Sequence, residues 1–173
     1  METQQNFISS SKKSTTSPIL DFSVYTDGAS RGNPGNAGAG ILIIDNKTKK
    51  ELIKRSFNLD KKTNNQAEYL ALVLAAFLIN EQIPNFSKHS FLFFADSELL
   101  IKQMNNEYKV KDPTLKKLKQ LILSLLDTSK RNFQHIRREK NKIADKLANE
   151  GIDKKNGIPA KFTNLLQKKD LFL

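Results

Sequence analysis

Ser90-Phe-Leu-Phe-Phe-Ala95 is the segment that most restricts how this chain folds. It is apolar on both alternating faces, the pattern of a strand set centrally in a sheet between helices. The neighbouring segments supply such a sheet. Phe22 to Asp27 alternates Phe22, Val24 and Thr26 with Ser23, Tyr25 and Asp27 and reads as a strand. Gly28 to Gly40 holds most of the glycines, with Pro34, and reads as a turn into an apolar strand over Ala39 to Ile44. Asp45-Asn46-Lys47 then turns the chain into a polar strand from about Lys50 to Asn58. Three antiparallel strands in succession are expected.

Thr63-Asn64-Asn65-Gln66 fits a capping box, in which Thr63 accepts from the first amides and Gln66 reaches back. The helix behind it carries Ala67, Leu70, Ala71, Val73, Leu74, Phe77 and Leu78 and stops before Pro84. A short helix is predicted from about Ser97 to Asn105. Asp112-Pro113 opens another, with Asp as cap and Pro at the first position. Asn132 to Ile136 is a last short strand, and Lys140 to Gly151 a helix that Gly151 stops. The order β-β-β-α-β-α-α-β-α predicts an α/β fold: a five-stranded mixed sheet, three antiparallel strands then two parallel, with helices on both faces. The chain divides into a flexible Ser/Thr-rich tail over 1–20, one domain over 21–153, and a basic, part-ordered tail over 154–173.

Lys and Arg number 29 against 18 Asp and Glu, a net charge of +11, which calls for a polyanionic partner, most simply nucleic acid. Against that charge stand four acids in distinct settings: Asp27 in Tyr-Thr-Asp-Gly, Glu68 in Gln-Ala-Glu-Tyr, Asp96 in Phe-Ala-Asp-Ser and Asp145 in Ile-Ala-Asp-Lys. Asp27 and Asp96 fall at carboxyl ends of strands, where open α/β sheets place their sites. A carboxylate cluster requires cations between its members. Hard oxygen ligands with no Cys or His nearby select Mg²⁺, with Mn²⁺ as substitute. Phosphodiester hydrolysis needs an activated water on one side of phosphorus and a stabilised leaving oxygen on the other, and two ions about 4 Å apart serve both. A basic chain with such a cluster reads as a metal-dependent nuclease. No apolar run is long enough to cross a bilayer, and Met1 to Ser17 lacks the apolar block of a secretory signal. A cytoplasmic monomer is expected.

Tyr-Thr-Asp-Gly-Ala-Ser-Arg-Gly-Asn-Pro-Gly at 25–35, Thr-Asn-Asn-Gln-Ala-Glu at 63–68, Ala-Asp-Ser-Glu-Leu at 95–99 and Arg-Glu-Lys-Asn-Lys-Ile-Ala-Asp-Lys-Leu-Ala at 138–148 together resemble ribonuclease HI. The resemblance implies a ribonuclease H-like fold and an endonuclease cutting the RNA strand of RNA–DNA hybrids to 5′-phosphate and 3′-hydroxyl ends. It makes Asp27, Glu68, Asp96 and Asp145 both catalytic residues and metal ligands, with Asp27 bridging the ions. Gly28, Asn33, Thr63, Asn64 and Asn65 would contact the hybrid, and Glu98 falls where the family touches a 2′-hydroxyl, often with Gln. Reading that hydroxyl separates RNA from DNA. Asn141, one turn before Asp145, matches a position that helps organise the site.

His135 stands at about the distance from Asp145 of a mobile loop His in many relatives, although Phe133 to Ile136 reads as strand. Arg138 and Glu139 stand where that loop would be. The resemblance is to a short form, without the N-terminal hybrid-binding module or the basic protrusion between Asn105 and Pro113. Lys109, Lys111, Lys116, Lys117 and Lys119 would supply part of the phosphate attraction. The alternative function is a non-catalytic module of the same fold that binds hybrids or double-stranded RNA. Asp170-Leu171-Phe172-Leu173 faintly resembles peptides that dock on sliding clamps; the competing reading is a tail helix packed on its own domain.

Overall fold

The computed structural model describes residues 20–171. Strands β1 (Phe22–Gly32), β2 (Gly35–Asp45) and β3 (Glu51–Lys62) lead into helix α1 (Asn64–Gln82). Strand β4 (Ser90–Ala95), helices α2 (Glu98–Met104) and α3 (Pro113–Leu125), strand β5 (Lys130–His135), and helices α4 (Lys142–Lys154) and α5 (Ala160–Lys168) follow. The sheet order is β3-β2-β1-β4-β5. The first three strands pair antiparallel, and β4 and β5 run parallel to β1.

The glycine-rich stretch is strand, not an extended turn. β1 and β2 pair without a break from Phe22↔Asp45 to Gly32↔Gly35, so the turn is confined to the hairpin tip at Asn33-Pro34. Small residues hid the extension of these strands toward the tip, because glycines such as Gly38 add nothing to an alternating pattern. Gly38 and Gly40 are glycines because α4 lies directly on them: a Cβ at Gly40 would overlap the Ala144 carbonyl, and one at Gly38 the Ala148 carbonyl. Gly151 likewise faces the Phe57 backbone and does not end α4, which continues to Lys154.

β4 pairs with β1 only over Phe22–Tyr25, after which β1 continues alone with β2 toward the hairpin. That divergence opens a notch beyond Tyr25 on one strand and Ala95 on the other. α1 fills one side of the sheet and is buried without interruption from Ala67 to Ile79. A helix buried all round is apolar all round, and Glu68 is the one acidic residue in that run. The capping box forms: the Thr63 hydroxyl accepts from the Gln66 amide at 3.2 Å, and the Gln66 side chain accepts from the Thr63 amide at 2.9 Å. Asp112 caps α3 with Pro113 behind it.

The packed core extends past residue 153. α5 buries Phe162, Leu166 and, just beyond it, Leu171, with the Phe162 ring edge-on to Phe77 of α1 at 5.4 Å. Phe172 and Leu173 of the clamp-like tetrapeptide, like the N-terminal tail up to residue 19, lie outside the described residues. On the opposite face α4 covers β2 and β3 but leaves part of β4 open. Leu92 and Phe94 are half-buried, and Tyr25 stacks on Phe94 at 4.9 Å beside an apolar-floored cavity of about 330 Å³. β4 is therefore fully covered on one face only, because α4 is a single helix laid over the other half of the sheet. Among the described residues no helix is long and apolar enough to cross a membrane.

Candidate metal centre

The notch between β1 and β4 opens into a trough of about 480 Å³ lined by Asp27, Glu68, Asp96 and Asp145. Asp27 comes from β1 just past its pairing with β4, and Asp96 directly follows β4. Glu68 reaches in from just past the first turn of α1, and Asp145 from the first turn of α4. Oxygens of Asp27, Glu68 and Asp96 lie within 4.8 Å of one another. Asp145 stands at the margin, its carboxylate accepting a short hydrogen bond from the Arg138 guanidinium.

Gly28 allows this convergence. A Cβ there would overlap the backbone of Ala67 and Glu68, so only glycine lets β1 touch α1 at that point. Its amide then donates to the Glu68 carboxylate at 3.3 Å. Burial, then the charges of Asp96 and Asp145, push the Asp27 carboxyl up to about 7. Glu68 is pushed well above its ordinary range, first by burial and then by Asp27 and Asp96. Like charges this close disfavour ionisation of each other. Among the described residues, none of the three clustered acids has an ion-pair partner. An oxygen-only donor set in this electrostatic state fits hard divalent cations, which would replace the protons.

The remaining candidates divide into three groups. At the hairpin side, the Asn33 side-chain oxygen accepts from the Asn64 amide at 3.0 Å, and Asn64 lines the trough while Asn65 is exposed next to it. Thr63 is occupied in capping. At the other side, exposed Glu98 opens α2 and pairs with Lys102 at 2.6 Å, while Lys102 sits 5.0 Å over the Tyr108 ring.

Behind the centre, buried Asn141 donates at 2.9 Å to the carbonyl of Thr26, the residue before Asp27. This bond joins the start of α4 to the strand carrying the central acid. His135 ends β5 with Nε2 3.2 Å from the Asp96 carbonyl and outside the trough. Glu139 faces the apolar-floored cavity beside Tyr25 instead of the acids. The 3-10 turn Arg138–Lys140 splits its side chains, so Arg138 is the one that enters the acidic trough. Lys119 is tied to the Gln103 carbonyl and, at 2.8 Å, to Asn106, so it is partly withdrawn from the phosphate-attracting set. Asn149, one turn after Asp145, also lines the trough and was not among the sequence candidates. The spacing i, i+4 from Asp145 was the available signal.

A family profile described as reverse transcriptase-like matches residues 25–151. LC11-RNase H1, isolated from compost by a metagenomic approach, superposes with a TM-score of 0.72 at 40% identity, over 79% of this chain and 98% of that one. Its complex with an RNA/DNA hybrid gives the same score and identity. Ribonuclease HI of Halobacterium salinarum is 34% identical over 133 residues, 75% of this chain and 63% of that protein. A bifunctional protein of Mycobacterium tuberculosis is 32% identical over 131 residues, and there the chain spans only 35% of the relative's length. The chain belongs to the ribonuclease H family and superposes on its type 1 members.

Proposed function

We propose that this chain hydrolyses the RNA strand of RNA–DNA hybrids at a pair of divalent ions held by Asp27, Glu68, Asp96 and Asp145, leaving 5′-phosphate and 3′-hydroxyl ends. The observation that carries the reading is the convergence of three unpaired carboxylates within 4.8 Å on a chain of net charge +11. A surface evolved only to bind a polyanion has no use for buried acids that repel it. The hybrid-bound relative supports the substrate class. Bound here, the ions would activate a water and steady the leaving oxygen.

The chain's own residues set the frame for that chemistry. Gly28 orients Glu68, Asn141 fixes the strand under Asp27, and Arg138 neutralises Asp145 at the margin. Asn33, Asn64 and Asn65 form a carboxamide edge at the hairpin that both donates and accepts without adding charge, which suits a nucleic-acid groove. Mg²⁺ is the ion expected in this oxygen set, with Mn²⁺ as substitute. A monomer held in the cytoplasm remains the expectation for its state and place.

Labelled RNA–DNA, RNA–RNA and DNA–DNA duplexes incubated with the protein and Mg²⁺ test the reading. Only the hybrid's RNA should be cut, and the products should carry 5′-phosphates. Asp96→Asn should lower the cutting rate by about three orders of magnitude, roughly 4 kcal/mol of transition-state stabilisation, while hybrid binding persists. Cutting by that variant at the wild-type rate would refute the site assignment. Hybrid binding by the wild type without cleavage would favour the non-catalytic alternative.

A further inference from the structure

The trough does not end at the acids. β1 and α4 run side by side away from them, and their repeats match. Two strand residues advance about 6.6 Å and four helix residues about 6 Å, so Asp27, Ala29 and Arg31 face a stripe of Asp145, Asn149 and Asp153. The contacts bear this out: Ala29, Arg31 and Asn149 line the same cavity as the acids. Arg31 donates to Asp153 at 2.6 Å, and the Asn149 amide nitrogen donates to the Asp145 carbonyl at 3.0 Å. Each interaction uses one part of its side chain and leaves the rest. The guanidinium keeps further N–H donors, and the carboxamide keeps its oxygen. Arg31 is half-exposed despite its pair with Asp153. A braced cation therefore sits about 13 Å along the strand from Asp27.

We propose that Arg31, held by Asp153, binds a phosphate of the strand being cut beyond the reacting one, and that Asn149 accepts from a sugar hydroxyl between the two. The inference rests on the hydrolytic reading of the acids. A negatively charged centre repels a polyanion until cations fill it, so a fixed positive charge at the far end of the same trough gives the strand a second anchor and a direction. Arg31 and Asn149 are positioning residues here: they touch substrate away from the bond that breaks.

The test uses the full chain with Mg²⁺ and a short labelled RNA–DNA hybrid. Arg31→Ala should raise KM about tenfold with kcat within about twofold, and reduce the slope of log(kcat/KM) against log salt by about one phosphate contact. Arg31→Lys should restore part of the KM and most of the slope. Asp153→Ala breaks the same ion pair and should lower Tm as much as Arg31→Ala does. It leaves the Arg31 charge in place, so its KM should rise far less and its salt slope should hold. Equal KM losses in Arg31→Ala and Asp153→Ala would make the pair a mere brace and overturn the proposal, as would an unchanged salt slope in Arg31→Ala. If the wild type cuts no hybrid, the reading of the acids fails first and the subsite with it. If it cuts normally and Arg31→Ala matches it, only the subsite fails.

Discussion

Asp27 shows how one residue can be at once the most informative and the least comfortable in a chain. It is almost fully buried, between two other carboxylates, with its carboxyl pushed up to about 7. Its unfolded value is 3.8, so on raising the pH the unfolded chain loses this proton first. Between about pH 4 and 7 the folded state binds more of the proton, and stability falls as pH rises through that window before levelling off. Asp27→Asn removes the effect. Without divalent ions the variant should be more stable than wild type at pH 8, by on the order of a few kcal/mol, and so melt at higher temperature. The difference should vanish below about pH 4; thermal melts in chelator across that range check the sign. The four acids were legible in the sequence because each sits in an apolar or tightly patterned context that a surface acid does not need. Arg138 was not singled out as a trough residue, since Arg137, Arg138 and Lys140 look alike in a row. Only the 3-10 turn decides which of them faces the acids.

Elements were legible where their signals were side chains. The capping box before α1, the Asp-Pro start of α3 and the apolar run of β4 each specify local geometry directly. The hairpin end of the β1–β2 ribbon, residues 28–38, was not, because glycines there answer to the helices packed on them. That requirement is tertiary and leaves no periodicity. At the C-terminus the sequence favours a tail helix packed on its own domain over a docking peptide, and α5 is that helix, but its bounds have meaning only once α1 is known to be apolar on every side. Phe162→Ala tests how much that last helix matters. The ring is fully buried against Phe77, so its loss should cost about 3–5 kcal/mol by chemical denaturation. The acids lie on other elements, and cleavage by the folded fraction should persist. A variant within about 0.5 kcal/mol of wild type would show that α5 is a dispensable cover.

At the scale of the whole molecule, the basic surface and the acidic trough divide the work. On the proposed reading, the excess positive charge would draw in the hybrid, while the trough would discriminate by what it can hold. Hybrid binding should therefore weaken steeply with salt, by roughly tenfold or more between about 50 and 200 mM if three or more phosphates are neutralised. Fluorescence anisotropy over that range measures it, and a flat response would mean the net charge of +11 plays no part in binding. The overall order of strands and helices was readable from the sequence. The half-covered face of β4 was not, because apolarity on both sides of a strand does not reveal how far one overlying helix reaches.

The amide of Asn141 and the carbonyl of Thr26 are 115 residues apart in the chain. A nascent polypeptide leaving the ribosome thus carries three of its acids well before the fourth, and before the tether that steadies the first. On the proposed reading, cutting competence would wait for α4, and a fragment ending ahead of it would lack Asp145 and leave hybrids uncut.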